Sequence, residues 1–479
     1  MVDSLKQRAV KGVAWSAVER FSVQGVQFVL SIIIARLVAP SEYGLIAMLG
    51  IFLSVAQAFI DSGFSSALIQ KKDRTDVDFS TVFYFNIIVS LIVYLILYFS
   101  APYIALFYKE PLLDVVTKWT GLNIIISALC IIQRVKLTVW LNFKTQAKAS
   151  LIAVVISGVC GIVLAYYGYG IWALVFQSLL NNMLNTLLLF FFTRWMPKLV
   201  FSWRSFRQLF AFGSKLLVTG LYGPVYDNLN VLLIGKFYSS VDLGFYSRAT
   251  TFAQFPSSNI TGIISRVSFP LLAEFQDDDN RLALAYRKLI KISSFIVFPL
   301  MLFLGAIAAP LIEILLTSKW IPSAFYLRLL CFSLMWYPIC AFNINLLLVK
   351  GLSHTHLKLD ILKKIVGLII LLFTSIISIE AICIGLIFSS LFSWYVTAYY
   401  AGKIIGLSFY RQLKDILPSL LISVFISCMI FYINSLNLSS YTTLVLDSVI
   451  SIVSYISLSR IFNCEDFHIV LKLIRNRNL

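Results

Sequence analysis

Long apolar runs, separated by short polar segments, recur along the whole chain of 479 residues. Most runs are about 20 residues long, the length at which an α-helix crosses a bilayer. Glycine, proline and aromatic residues interrupt them, and the strict alternation of a membrane β-barrel does not occur. The pattern predicts an all-α polytopic membrane protein with about fourteen spans. They lie near residues 12–35, 44–69, 80–107, 112–133, 149–168, 170–193, 209–235, 243–270, 288–311, 322–349, 357–378, 381–402, 415–434 and 441–460.

One polar turn between two apolar runs occurs twice. Ala35–Ala47 (ARLVAPSEYGLIA) aligns without a gap with Gly235–Ser247 (GKFYSSVDLGFYS). The aligned pairs are Arg36 with Lys236, Glu42 with Asp242, and Gly44 with Gly244. Two further short matches follow in the same order, 61–63 with 260–262 and 101–104 with 309–312. A repeat at a nearly constant offset predicts that the membrane bundle is duplicated.

The charge of the chain follows the loops. With 59% hydrophobic and 13% charged residues the composition lies outside the range of soluble proteins. Of the 39 Lys and Arg residues, 29 fall in the loops and termini assigned to the cytoplasm. The outer loops carry only Arg36, Lys109, Lys236 and Lys319. This alternation fits the positive-inside rule with both termini in the cytoplasm, so the net charge of +17 reflects membrane topology and not nucleic-acid binding.

Sequence motifs of known catalytic chemistry are missing. The chain has no P-loop, no G-x-S-x-G and no H-E-x-x-H, and its seven cysteines lack the spacing of zinc ligands. The predicted outer loops are too short to hold a catalytic domain. We therefore expect a transporter and not an enzyme, with no cofactor and no metal, driven by an ion gradient, the membrane potential or removal of the product.

Several cations lie inside the predicted spans, where a charge near the bilayer centre costs roughly 2.5–3.5 kcal/mol. Arginine offers paired donors that match phosphate oxygens, so such cations suit the path of a diphosphate. The candidate substrate-binding set is Arg20, Lys215, Arg248, Arg266 and Arg328. Alternatives stay open, because a long cation can snorkel to a headgroup. Arg20 can also pair with Glu19 or Asp61.

Two carboxylates and one flexible segment complete the candidates. Asp61 and Asp227 are candidate sites for a coupling ion, although Asp227 could also serve only to interrupt its helix together with Asn228. Proline within a helix removes a backbone donor and introduces a kink. Gly220, Gly223 and Pro224 therefore form a predicted hinge in the seventh span. Interior prolines are more frequent in the second-half spans, so we expect that half to bend more during transport.

Three segments of the first half resemble a known family. They are GVAWSAVERFSVQGVQFVLSIIIARLVAPSEYGL, FIDSGFSSALIQKKD and APYIALFYKEPLL. They are similar to the polysaccharide-transport family of the MOP superfamily, and more narrowly to bacterial flippases of lipid-linked oligosaccharides for O-antigen (lipopolysaccharide), capsule and exopolysaccharide. The resemblance covers about the first 150 residues well, extends to the second turn SSVDLGFYSRA, and fades after about residue 400.

The resemblance implies a MATE-like fold of two six-helix lobes that rock to open a cationic cavity to each side in turn. The implied substrate is an undecaprenyl-diphosphate-linked oligosaccharide in the bacterial inner membrane, with the polymerase and glycosyltransferases of the pathway as candidate partners. The implied domains are a cytoplasmic lead-in (1–11), an N-lobe (12–194), a linker (195–208), a C-lobe (209–405), two further helices (406–462) and a basic cytoplasmic tail (463–479).

Three alternative functions remain at this stage. The first is a lipid II flippase, which only the family resemblance distinguishes from a flippase of surface-polysaccharide precursors. A MATE-type cation-coupled drug exporter usually has twelve spans and uses carboxylates of the first lobe, for which Asp61 is available. A membrane glycan polymerase needs a sizeable periplasmic loop, which the predicted spans do not leave.

Overall fold

The computed structural model describes residues 21–61, 63–434, 439–462 and 467. This part of the chain forms eighteen α-helices and one short 3₁₀ turn, Ser318–Trp320. The helices are α1 Phe21–Leu37, α2 Pro40–Met48, α3 Gly50–Asp61, α4 Phe64–Gln70, α5 Asp76–Tyr108, α6 Leu112–Val139, α7 Phe143–Tyr166, α8 Ile171–Thr193, α9 Trp203–Phe237, α10 Ser240–Glu274, α11 Asp279–Ala306, α12 Ala308–Leu316, α13 Pro322–Leu334, α14 Tyr337–Val349, α15 Ser353–Ser375, α16 Ile379–Ile404, α17 Phe409–Asn434 and α18 Ser440–Ile461. The predicted lead-in 1–11 lies outside the described residues, as does the predicted tail 463–479 apart from Phe467.

Ten helical segments in this part of the chain are long and apolar enough to cross a membrane. Helices α1, α9, α10 and α15 occupy the other four predicted spans. Helices α9 and α10 are each 35 residues long. The predicted class, an all-α polytopic membrane protein, is confirmed, and the number of fourteen spans stays a prediction.

Local sequence chemistry determines where several helices begin. The Thr75 hydroxyl accepts a hydrogen bond from the Asp78 amide at 3.3 Å, and the Asp78 carboxylate accepts one from the Thr75 amide at 2.8 Å, which starts α5. The carboxylate of Asp278 accepts bonds from the amides of Asn280 and Arg281, both at 3.1 Å, and starts α11.

Three predicted spans are broken helices, and the ninth of the fourteen is broken at Ile307, between α11 and α12. The second span consists of α2, α3 and α4, and Gly63 between the last two has a φ of 72°, which favours glycine. The tenth span consists of α13 and α14. Pro338 has no amide proton to donate to the carbonyl of Leu334, and the hydroxyl of Ser257 donates to that carbonyl instead, at 2.9 Å. A side chain of α10 thus satisfies the backbone group that the break leaves free.

The chain divides into two compact units, residues 1–244 and 245–479. In the first unit, α5 packs against α6, α8 packs against α6 and α7, and α9 packs against α3, α4 and α5. In the second unit, α11 packs against α13, α14 and α17, α15 against α16, and α17 against α18. The limits of the lobes and of the 195–208 linker stay predictions.

The repeated turn has the same local structure in both copies. Helix α1 ends at Leu37 and α2 begins at Pro40, while α9 ends at Phe237 and α10 begins at Ser240. The acid of each copy accepts a bond from the backbone amide three residues before it. These bonds are Ala39 N to Glu42 Oε2 at 2.9 Å and Ser239 N to Asp242 Oδ2 at 3.4 Å. The two motifs therefore share their spacing because, in each, the acid caps the start of a helix three residues after the capped amide.

The glycines of the two turns mark a close backbone contact within the first unit, to which the first turn of α10 belongs. A Cβ atom on Gly44 would overlap with the carbonyl oxygen of Ser240, and one on Gly244 would overlap with the carbonyl oxygen of Pro40. The start of α10 therefore lies directly on the start of α2. Only glycine at both positions permits this approach.

Side chains of the same turns hold further helices. The second oxygen of Glu42 accepts a bond from the Ile171 amide at 3.0 Å, at the beginning of α8. The ammonium of Lys236 donates to the Phe107 carbonyl at 2.7 Å and lies 4.1 Å from the centroid of the Phe107 ring, near the end of α5. The two turns thus connect six helices. The first turn joins α1 to α2, the second joins α9 to α10, and their side chains reach α5 and α8.

The C-terminal helices α17 and α18 are part of the second unit. The carboxylate of Asp415 on α17 accepts two bonds from the guanidinium of Arg287 on α11, both at 2.7 Å, and lies 3.5 Å from the ammonium of Lys291. Further along α17 a hydrophobic cluster packs around α11 and α18; its buried members are Ala306, Ile422, Ile426, Ile430 and Tyr455. An ion pair and a core therefore fix this helix pair to α11.

We expect Gly44→Ala to destabilise the protein by roughly 1–3 kcal/mol, because the added methyl group has no space beside Ser240. The thermal unfolding midpoint of the detergent-purified protein measures the effect. Gly25→Ala in α1 is the matched control, since a Cβ atom there meets nothing within 4 Å. Equal midpoints for the two variants would contradict the close contact of the turns.

We expect Asp415→Asn to destabilise the protein by roughly 2–3 kcal/mol, because it removes the negative charge that Arg287 and Lys291 both contact. The loss is smaller than for a fully buried pair, since Arg287 keeps 36% of its side-chain surface exposed. Arg281→Gln, which breaks the exposed pair with Asp278, should change the unfolding midpoint very little. A similar midpoint for Asp415→Asn and wild type would show that the ion pair does not hold α17.

Candidate functional site

Helix α10 presents two of the predicted cations on one side. Arg248 and Arg266 are eighteen residues apart, which is five full helical turns and about 27 Å along the axis. Arg248 is half-buried and Arg266 is exposed. One helix side thus carries positive charge at two depths of the predicted eighth span.

A buried amide lies between the two arginines on the same side of α10. Asn259 is eleven residues after Arg248 and seven before Arg266, within about 20° of their direction around the axis. Its amide nitrogen donates to the Phe255 carbonyl at 2.8 Å, and its buried oxygen has no hydrogen-bond partner among the described residues. We call Arg248, Asn259 and Arg266 the cationic face of α10. Asn259 was not among the residues predicted from the sequence, although its spacing from the two arginines can be read there.

The opposite side of α10 is the one that packs within the second unit. Ser257 and Ser268 lie about 180° and 200° around the axis from Arg248. Ser257 donates to the Leu334 carbonyl of α13, and the Ser268 hydroxyl accepts a bond from the side-chain amide of Asn345 on α14 at 2.9 Å. These bonds fix the rotation of α10, so the cationic face points away from α13 and α14.

Arg328 lies in a different environment from the other two arginines. It belongs to α13, and its guanidinium carbon lies 5.1 Å from the centroid of the Phe431 ring on α17. Its Nε atom is buried, with no hydrogen-bond partner in the described part of the chain. The structure therefore places Arg328 against the C-terminal helix pair and does not bring it to the cationic face of α10.

Of the remaining predicted residues, Asp61, Lys215 and Asp227 belong to the first unit. Arg20 lies outside the described residues. Asp61 is the last residue of α3 and Lys215 lies in α9; the structure describes the backbone of these two residues but not their side chains. Asp227 is exposed on α9.

The predicted hinge lies in a continuous helix, because α9 runs through Pro224. A Cβ atom on Gly220 or Gly223 would meet nothing within 4 Å. These glycines are therefore not required by close packing. Next to them, Asn228 donates to the Ser54 hydroxyl of α3 at 3.1 Å and to the Pro224 carbonyl at 2.8 Å. Asn228 therefore links this part of α9 to α3.

Another cation within a predicted span is already neutralised. The ammonium of Lys118 on α6 lies 2.9 Å from the carboxylate of Asp114 one turn earlier, and 5.0 Å from the centroid of the Tyr98 ring. Such a pair within one helix has no charge to offer a ligand. The cationic face of α10 differs because it combines two guanidinium groups with an amide, all able to donate to phosphate or sugar oxygens.

The sequence matches the family described as polysaccharide biosynthesis protein over residues 33–325, more than half of the chain. It is 24% identical over 352 residues to the teichuronic acid biosynthesis protein TuaB of Bacillus subtilis (strain 168), which covers 73% of each chain. It is also 24% identical over 330 residues to the lipopolysaccharide biosynthesis protein WzxC of Escherichia coli (strain K12), covering 68% of this chain and 67% of the relative.

Two solved structures share the fold. The lipid II flippase MurJ in its inward closed conformation superposes with a TM-score of 0.76 at 15% identity, covering 93% of this chain and 98% of that chain. An inward-facing multidrug resistance transporter of the MATE family, in the MOP superfamily, superposes with a TM-score of 0.61 at 16% identity, covering 81% and 98%. At these identities the likeness concerns the fold alone.

These findings confirm the resemblance predicted from the motifs of the first half. The apolar helices, the shared fold and the sequence relatives agree with one another, and none of them indicates an enzyme. The chain belongs to the polysaccharide biosynthesis protein family, and it is a multi-pass membrane protein with the fold of the MOP-superfamily transporters.

Proposed function

We propose that this transporter moves an undecaprenyl-diphosphate-linked oligosaccharide from the cytoplasmic to the periplasmic leaflet of a bacterial inner membrane, for the synthesis of a surface polysaccharide. The match to the polysaccharide biosynthesis family carries the proposal. The names of its relatives supply the class of product, teichuronic acid in one case and lipopolysaccharide in another. Both termini lie in the cytoplasm in this proposal, as the distribution of Lys and Arg predicts.

The charge on α10 suits this substrate. A diphosphate that leaves water for the protein loses its hydration, and charge-assisted bonds from arginine replace it. Arg248 and Arg266 lie at two depths on the cationic face, so one can hold the diphosphate on each side of the membrane in turn. Asn259 between them donates without adding charge. Arg20, Lys215 and Arg328 stay in the proposed substrate-binding set, with Arg328 acting from a separate position beside α17.

Alternating access requires a part of the bundle that bends and a source of energy. We assign the bending to Gly220, Gly223 and Pro224, because nothing packs closely against the two glycines and Pro224 removes one helical hydrogen bond.

Asp61 and Asp227 are the proposed sites of the coupling ion. The polymerase and glycosyltransferases of the pathway are the proposed partners, since they use the translocated lipid and supply it.

A strain that lacks the gene tests the function. We expect it to lose one surface polysaccharide and to accumulate the complete lipid-linked repeat unit in the cytoplasmic leaflet, because synthesis continues while translocation stops. Surface glycan is measured on whole cells, and the leaflet of the glycolipid by its access to a membrane-impermeant sugar-modifying reagent. A copy of the gene supplied in trans is the control.

Other outcomes of this experiment would overturn the proposal. A block in peptidoglycan synthesis with unchanged surface glycan would indicate that the protein transports lipid II. Transport of lipid II is the second candidate function, because the chain shares its fold with the lipid II flippase MurJ. Unchanged glycolipids with increased sensitivity to cationic dyes would indicate drug export. Incomplete repeat units would indicate an enzyme of their synthesis.

Arg248→Gln and Arg266→Gln test the cationic face. We expect each to lower the rate of polysaccharide export about tenfold at equal membrane abundance, the effect of losing one charge-assisted bond. Arg→Lys at the same positions should restore part of the rate, since it returns the charge without the paired donors. Lys118→Gln is the matched control, because its ammonium is already paired with Asp114. Export by both glutamine variants at the wild-type rate would show that this face does not contact the substrate.

A further inference from the structure

A basic groove lies at the start of α9, away from the cationic face of α10. It has a volume of about 410 Å³ and is lined by Trp203, Arg204, Arg207 and Gln208. All four residues lie in the first turns of α9, so the groove is open and one helix alone forms its lining. Arg204 and Arg207 are both exposed, and neither has an ion-pair partner among the residues that the structure describes. They are three residues apart on one helix, so their side chains are neighbours.

The opposite side of this helical turn is fixed to α4 and α5. The ring of Phe206 lies 5.0 Å from that of Phe85 and 6.2 Å from that of Phe64, between centroids. The preceding segment is held as well, because the Ser202 amide donates to the Thr81 hydroxyl at 3.1 Å and the Lys198 amide donates to the Ser80 hydroxyl at 3.0 Å. The start of α9 therefore cannot rotate freely, and the two arginines stay on its outer side.

Other cations near this segment are already occupied. The ammonium of Lys136 lies 3.4 Å from the carboxylate of Asp76 and between the rings of Phe79 and Trp195, at 4.7 and 4.6 Å from their centroids. The ammonium of Lys198 lies 3.2 Å from the same carboxylate. Both of these lysines thus serve the fold. Arg204 and Arg207 keep their charge available to a ligand.

The surroundings of the groove indicate that its ligand belongs to a lipid. Met196, Leu199 and Trp203 expose 71%, 94% and 74% of their surface although they are large and apolar. Apolar and tryptophan side chains exposed next to arginines are typical of a segment in the headgroup region of a bilayer. The predicted topology places this segment on the cytoplasmic side, where a lipid-linked substrate is assembled.

We propose that this groove is a loading site that binds the diphosphate of the lipid-linked oligosaccharide before it enters the transport path. This inference rests on the proposed function and extends it to a site outside the predicted spans. Two neighbouring guanidinium groups match two linked phosphates, and each can form paired bonds with phosphate oxygens. A phospholipid headgroup offers the same chemistry with one phosphate, so the experiment has to separate the two lipids.

The test measures binding of undecaprenyl diphosphate to the purified full-length protein in phosphatidylcholine nanodiscs, by native mass spectrometry. All variants carry Arg248→Gln and Arg266→Gln, which removes the contribution of the cationic face. Adding Arg204→Gln and Arg207→Gln should weaken binding about tenfold. The matched control adds Arg411→Gln and Lys414→Gln instead, two exposed cations with the same spacing in the first turns of α17, and should leave binding unchanged.

A second arm adds phosphatidylglycerol as competitor. We expect it to displace undecaprenyl diphosphate only in large excess. Displacement at equal concentration, lost with the Arg204 and Arg207 substitutions, would assign the groove to phospholipid headgroups and overturn the loading role. Equal affinity with and without these two arginines would overturn it as well. Neither result would contradict the proposed function, which the deletion strain tests separately.

Discussion

The close backbone contact between Gly44 and Gly244 is the constraint on which the arrangement of the first unit depends. It holds the starts of α2 and α10 together, and the side chains of the same two turns extend the contact to α5 and α8. The two glycines occupy equivalent positions of a duplicated motif, so the repeat brings its own copies into contact. A sequence motif without any catalytic group is thereby explained as a packing device.

A second constraint is the high free energy of a charged side chain inside a membrane. The cations within the predicted spans differ in how they meet this constraint. Lys118 is neutralised by Asp114, and Arg287 meets Asp415 where α17 packs on α11. Arg248 and Arg266 instead share one side of α10 with Asn259, while Ser257 and Ser268 anchor the other side to α13 and α14. Paired cations stabilise the fold, whereas we propose that Arg248 and Arg266 donate to the substrate along the predicted span.

Much of the architecture follows from local patterns and could be predicted from the sequence. The apolar runs gave the class of fold, and acidic residues near helix starts, such as Asp78 and Asp278, act as caps within three residues of their partners. The proximity of Gly44 to Gly244 and of Arg328 to Phe431 could not be predicted, because it depends on how distant helices pack. The same holds for the rotation of α10, which distant bonds to Leu334 and Asn345 fix.

The most direct test of the account is translocation by the purified protein alone. Proteoliposomes would receive the complete undecaprenyl-diphosphate-linked oligosaccharide in one leaflet, and its appearance in the other would be followed with an impermeant sugar-modifying enzyme. We expect transfer that depends on the protein and is slowed by substitution of Arg248 and Arg266. Transfer at the rate of protein-free liposomes, under an imposed proton or sodium gradient and membrane potential, would contradict the claim that this chain is the flippase.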